Sequence, residues 1–176
     1  MTASSVYVHA PFCESKCPYC AFASAVRADG DERLYLRALA DEISQRASGA
    51  GKIRTLYIGG GTPSVLSPDS WRALLDILES SFHFADDPEV TVEANPGSLS
   101  QDHINLWRSW RVNRVSIGVQ SMSDADLIFL GRPHTAAQAV RAATMCRDAR
   151  FDVSLDLMFG LPGGTLREWA WSLRAA

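Results

Sequence analysis

The chain of 176 residues suits one domain with a sizeable core, and with 47% hydrophobic and 21% charged residues it reads as globular. A net charge of -3, with 17 scattered Lys and Arg, gives no basic field for nucleic acid. No apolar run approaches the roughly 18–20 residues that cross a membrane, and Met1 to Val8 lacks the basic and apolar regions of a signal peptide, so the expected location is the cytoplasm. Short β-branched runs alternate with helical patterns. Val6 to His9 reads as a strand and Asp31 to Ala47 as a helix carrying Leu34, Leu36, Leu39 and Ile43. Ile53 to Ile58 is the next strand, ended by Gly59-Gly60-Gly61. A helix from Ser67 to Phe84 follows, with Ser67 as N-cap and Pro68 at its first position. Glu89 to Glu93 is a strand, Ser100 to Trp110 a helix and Arg114 to Val119 a strand. Asp124 to Leu130 and Thr135 to Ala149 are helical, Val153 to Met158 is a strand, and Leu166 to Leu173 begins another helix.

This is β-α repeated five times. Near-continuous apolar strands such as Leu56-Tyr57-Ile58 suit a parallel sheet covered on its faces. Polar and glycine residues gather just after the strands, where α/β barrels carry their chemistry. The predicted class is α/β, a (βα) barrel or part of one.

Three of the four cysteines lie within eight residues, Cys13-Glu14-Ser15-Lys16-Cys17-Pro18-Tyr19-Cys20, and Cys146 lies far away. A secreted disulfide scaffold spreads its cysteines along the chain; a tight cluster points to a metal or to redox chemistry. Iron–sulfur clusters are held by Cys thiolates, usually four. Three thiolates in one loop leave an iron open to an amine and a carboxylate, and S-adenosyl-L-methionine (SAM) carries both. Two other readings stay open: a zinc site, which needs a fourth ligand, and a Cys17–Cys20 redox pair.

Tyr7-Val8-His9-Ala10-Pro11-Phe12-Cys13 through Cys20-Ala21-Phe22 resembles the opening of the radical SAM branch that contains oxygen-independent coproporphyrinogen III oxidase and the haem chaperone HemW. The resemblance continues through Gly59-Gly60-Gly61-Thr62-Pro63, Glu93-Ala94-Asn95-Pro96-Gly97, Gly118-Val119-Gln120-Ser121, Gly131-Arg132-Pro133-His134 and Asp156-Leu157-Met158-Phe159-Gly160-Leu161-Pro162-Gly163. It implies a [4Fe–4S] cluster on Cys13, Cys17 and Cys20, with SAM at the open iron. It places Tyr7 and Tyr19 beside the cofactors, Gly60 at the SAM amino group and Glu93 at SAM. Gly61, Thr62, Gln120, Arg132 and Asp156 match positions near a second SAM site of the oxidase. Read without the resemblance, the glycine triplet is a tight turn, Glu93 a rim ion pair and Arg132 a surface arginine.

Phe22 stands where the oxidase usually has a further Cys, which favours the chaperone branch, whose members bind haem and pass it to haem proteins. The alternatives are decarboxylation of a porphyrinogen, or a fragment inactive alone. The family's sixth βα unit and C-terminal domain are not among the 176 residues, so residues 1–176 are expected to form a radical SAM core incomplete at its C-terminal end. Arg111 and Arg150 follow helix ends, where the family generally has Gly in a left-handed conformation; both are expected to be strained, and glycine at either to stabilise. His134 is expected to cap the helix after it, His83 and His103 to be exposed on helices, Cys146 to be a buried apolar residue, and Trp71, Trp107, Trp110, Trp169 and Trp171 to pack helices on the barrel.

Overall fold

The computed structural model describes residues 4–47 and 49–176. In chain order the elements are β1 (Ser4–Ala10), β2 (Phe12–Cys13), β3 (Ala25–Val26), α1 (Asp31–Arg46), β4 (Ile53–Gly60), a 3-10 turn (Pro63–Val65), α2 (Pro68–Ser81), β5 (Phe84–Ala94), α3 (Gln101–Ser109), β6 (Arg114–Gln120), α4 (Asp124–Phe129), α5 (Ala136–Asp148), β7 (Asp152–Leu157) and α6 (Leu166–Ala175). The five long strands form one sheet in the order β1-β4-β5-β6-β7, parallel throughout. Each successive strand adds beside the last, which is the winding of a (βα) barrel.

Alternation sets the two faces of this sheet. Val8, Leu56, Ile58, Val90, Val92, Val115 and Ile117 are buried beneath the helices. Tyr7, Tyr57, Thr91 and Arg114 share one row of the register on the opposite face, and Glu93, Ser116 and Ser154 share the next row toward the C-terminal ends. In α2, Trp71, Leu74, Leu75 and Leu78 recur at helical spacing and are buried. Trp71 packs edge-on to Trp107 of α3, with ring centroids 5.2 Å apart.

The caps follow the sequence closely. The Ser67 hydroxyl accepts from the Ser70 N–H ahead of Pro68, and Ser100, Thr135 and Thr165 each close a capping box. Several expectations need correction. The helix expected to run to Phe84 ends at Ser81, and Phe84 opens β5, because Phe82 already has extended backbone. His83 therefore lies in the connection, exposed, and not on a helix. His103 is only 6% exposed: its Nδ1 completes the α3 capping box and its Nε2 meets the Leu66 carbonyl. His134 does not cap α5, since Thr135 does. Of the tryptophans, Trp71 and Trp107 are fully buried, whereas Trp171 is 50% exposed.

The two arginines part company. Arg150 has φ 63°, the left-handed conformation expected after a helix end. Arg111 is not among the residues with positive φ, so the strain expected there is absent. Its guanidinium instead grips the Glu79 carboxylate at 2.7 and 3.0 Å and lies over the Phe84 ring. Cys146 is fully buried in α5, and burial pushes its thiol up to about 12.

Candidate functional site

The C-terminal ends of the strands surround a cleft of about 470 Å³, lined among others by Cys13, Cys17, Cys20, Glu93, Gln120 and Asp156. The cysteine loop is held at its base by a small element that sequence patterning did not show. β2 and β3 pair in parallel, with Ala25 N–H on the Pro11 carbonyl at 2.8 Å and Arg27 N–H on the Cys13 carbonyl at 3.0 Å. The loop between them is closed by Lys16, whose Nζ donates to the Phe22 and Ser24 carbonyls. His9 Nε2 reaches the Ala23 carbonyl at 2.7 Å. Cys13 and Cys17 are buried and Cys20 is half-buried; all are free thiols. The Thr62 hydroxyl points at Cys13 Sγ at 3.6 Å, and Arg132 Nη1 at Cys17 Sγ at 3.5 Å.

The glycine triplet joins this loop to the sheet. Gly61 N–H donates to the Ala10 carbonyl at 2.8 Å and Thr62 N–H to the Phe12 carbonyl at 2.7 Å. A Cβ on Gly61 would sit 2.6 Å from the Phe12 carbonyl oxygen, so only glycine permits that approach. A Cβ on Gly59 would sit 2.8 Å from Glu93 Oε2. The triplet thus makes room for the cysteine loop on one side and a carboxylate on the other.

Glu93 accepts from the Tyr57 hydroxyl at 2.8 Å and from Gly60 N–H at 3.0 Å. A carboxylate has about four acceptor positions, so both oxygens keep capacity for a ligand's hydroxyls. Burial, then the bond to Glu93 and its charge, push the Tyr57 hydroxyl well above its ordinary range, and it stays a donor. On the neighbouring strands the Ser116 hydroxyl donates to Asp156 Oδ1 at 3.2 Å, and Ser154 donates to Ser116 at 3.1 Å. Gln120 has φ 70° at the end of β6, a left-handed conformation on a non-glycine residue at the mouth of the cleft.

Cys13, Cys17, Tyr19, Cys20, Gly61, Thr62, Glu93, Gln120, Arg132 and Asp156 all line the cleft. Tyr7 and Gly60 are not among the lining residues. The Tyr7 hydroxyl meets His9 Nδ1 at 3.1 Å, and the Gly60 N–H is taken by Glu93. Tyr57, Ser116 and Lys16 were missed by sequence reasoning. The alternation of β4 carried a signal for Tyr57, since the residue between buried Leu56 and Ile58 must face the other way.

The donor set suits a cluster. Iron–sulfur clusters are held by Cys thiolates, and Cys13, Cys17 and Cys20 are free and line the same cleft.

Residues 7–176 match the model of the Radical SAM superfamily. The chain belongs to that superfamily. It is 40% identical over 176 residues to the haem chaperone HemW of Escherichia coli, covering 98% of this chain and 47% of that protein. It is 38% identical over 176 residues to the mitochondrial radical S-adenosyl methionine domain-containing protein 1 of Bos taurus, covering 97% of this chain and 39% of that one. Coproporphyrinogen III oxidase (HemN) from Escherichia coli, a radical SAM enzyme, superposes with TM-score 0.89 at 30% identity, over 98% of this chain and 40% of that structure. The chain spans about half the length, or less, of these relatives. No helix among the described residues is long and apolar enough to cross a membrane.

Proposed function

We propose that the chain is the cluster- and SAM-binding core of a haem chaperone, working in the cytoplasm, with haem or a porphyrin and a haem-accepting protein as its partners. The observation that carries the reading is that three free thiols, Glu93 and Asp156 line one cleft at the strand ends. Cys13, Cys17 and Cys20 hold the [4Fe–4S] cluster. When bound, it supplies an electron and an open iron to SAM. Glu93, held by Tyr57 and Gly60, accepts the ribose hydroxyls. Gly61 and Thr62 offer a cleft wall with the backbone close by, and Asp156 and Gln120 complete the lining. The chaperone reading is supported by 40% identity to HemW, and by Phe22 where the oxidase branch has its further Cys. The structural likeness to HemN supports a second reading, porphyrinogen decarboxylation by the same cleft.

Anaerobic reconstitution with iron and sulfide, followed by Mössbauer spectroscopy and iron counting, tests the first step. One [4Fe–4S] cluster per chain is expected, and a Cys13→Ala, Cys17→Ala, Cys20→Ala variant that still held it would end the proposal. Titration of the reconstituted protein with SAM and then with haem is expected to show binding of both. Decarboxylation of coproporphyrinogen III by the same preparation would decide for the second reading.

A further inference from the structure

Arg132 stands where three segments meet. It follows Gly131, which turns the chain after α4 with φ 65° and lies against the cysteine loop, a Cβ there falling 2.9 Å from Pro18 Cδ. Its Nη2 donates to the Gly118 carbonyl of β6 at 2.7 Å, while Nη1 lies 3.5 Å from Cys17 Sγ and 3.5 Å from the Tyr19 hydroxyl. The short bond to Gly118 anchors the planar guanidinium, so its charge is fixed beside the sulfur rather than roaming on a flexible arm. Its Nε–H is buried without a partner, and the residue as a whole is half-buried at the wall of the cleft.

We infer that Arg132 is a positioning residue that raises the reduction potential of the cluster by donating a charge-assisted hydrogen bond to the Cys17 thiolate. The inference rests on the cluster reading above. Hydrogen bonds to cluster sulfurs and nearby charge are the means by which a protein sets a cluster's potential. One-electron reduction adds one negative charge to the cluster, with no bond made or broken. A cation held at the ligand sulfur favours that reduced state. A guanidinium does so through directed N–H donors as well as charge, which a lysine ammonium anchored at no carbonyl reproduces only in part.

The test compares the parent with Arg132→Met and Arg132→Lys, each reconstituted anaerobically. Iron is counted first, and dithionite then supplies the electron in a titration followed by EPR with SAM omitted, so that effects on SAM binding do not enter. All three proteins are expected to carry the cluster. Arg132→Met should lower the ratio of reduced to oxidised cluster about tenfold at a fixed potential, a midpoint more negative by ~59 mV for one electron, and Arg132→Lys should fall between. An unchanged midpoint in Arg132→Met overturns the inference. Loss of the cluster from both variants also overturns it, by making Arg132 a clamp for the loop. A parent without a cluster defeats the cluster reading itself, and is seen before any variant is compared.

Discussion

Arg111 and Arg150 sit at matching points of two successive βα units, each just beyond a helix and just before a strand, yet the backbone treats them differently. Arg150 takes the left-handed conformation that closes α5, with its N–H on the Arg147 carbonyl and the Phe151 N–H on the Cys146 carbonyl. A side chain there costs on the order of 1 kcal/mol relative to glycine. Arg111 has no such strain and adds a two-pronged ion pair to Glu79 and a contact with the Phe84 ring. Both partners are partly exposed, so these are worth about 1 kcal/mol together. Arg150→Gly is therefore expected to raise stability by about 1 kcal/mol, and Arg111→Gly to lower it by a similar amount. Urea unfolding of the two single variants checks this; a gain from both would restore the symmetric expectation drawn from sequence. The difference between them was not legible there, because the Glu79 and Phe84 contacts depend on how α2, β5 and α3 pack. Glycine-like backbone at Gln120 was hidden for the same reason: its left-handed φ follows from the register shift between Ile117 and Gln120 at the β6–β7 pair, and its residue type gives no sign of it.

The connection from α4 to α5 is stapled to the end of β6 by alternate residues, Arg132 on the Gly118 carbonyl and His134 on the Val119 carbonyl. The helices expected from sequence on either side, Asp124 to Leu130 and Thr135 to Ala149, lie within a residue of α4 and α5, although the cap expected at His134 is Thr135, and the sequence also showed the local cysteine spacing. It could not show the staple, whose partners are 14 and 15 residues apart, nor the contact of Arg132 with Cys17 across 115 residues. His134 is 3% exposed; its Nε2–H donates to Val119, and Nδ1 is buried with no partner. Protonation would place an unmatched N–H in that site. Burial first, then the Arg132 charge, depress its pKa to about 4, against the opposing effects of the Val119 bond and the Asp124 charge. The unfolded chain binds this proton at about pH 6.5 and the folded chain only near 4, so over that interval the unfolded state holds more protons and stability rises with pH. The contribution is complete above about pH 6.5 and is lost as pH falls toward 4, on the order of 2 kcal/mol by pH 5. Unfolding free energies measured between about pH 7 and 5, with the His134 ring followed by NMR, test this. A His134 resonance titrating near its ordinary value in the folded protein would remove the effect.

At the scale of the whole molecule, polarity is distributed unevenly along the sheet. β4, β5 and β6 are central, each paired on both edges, and their apolar residues Leu56, Ile58, Val90, Val92, Val115 and Ile117 are buried. β7 pairs only with β6 among the described residues, and its Val153, Leu155 and Leu157 are only half-buried although they have the composition of a covered strand. Beyond it, Phe159, Leu166, Trp171 and Leu173 are exposed. An apolar parallel strand with one free edge offers a row of unpaired N–H and C=O groups to another chain, and the adjoining side chains add apolar surface that gains roughly 25 cal/mol per Å² when covered. The cleft lies on the same side of the strands as the β7 residue Asp156, so association along that edge would also reach the site. The 176-residue chain expressed by itself is therefore expected to self-associate as its concentration rises, with the cleft keeping its cysteines because β1, β2 and β3 lie at the far end of the sheet or outside it. Size-exclusion chromatography with light scattering over a concentration series measures this. A shift from monomer to larger species, suppressed by a charge at Leu166 or Trp171 on the exposed surface, is the expected result. A monodisperse monomer at every concentration, with a sharp cooperative melt, would show that the β7 edge is closed in solution by the chain's own residues.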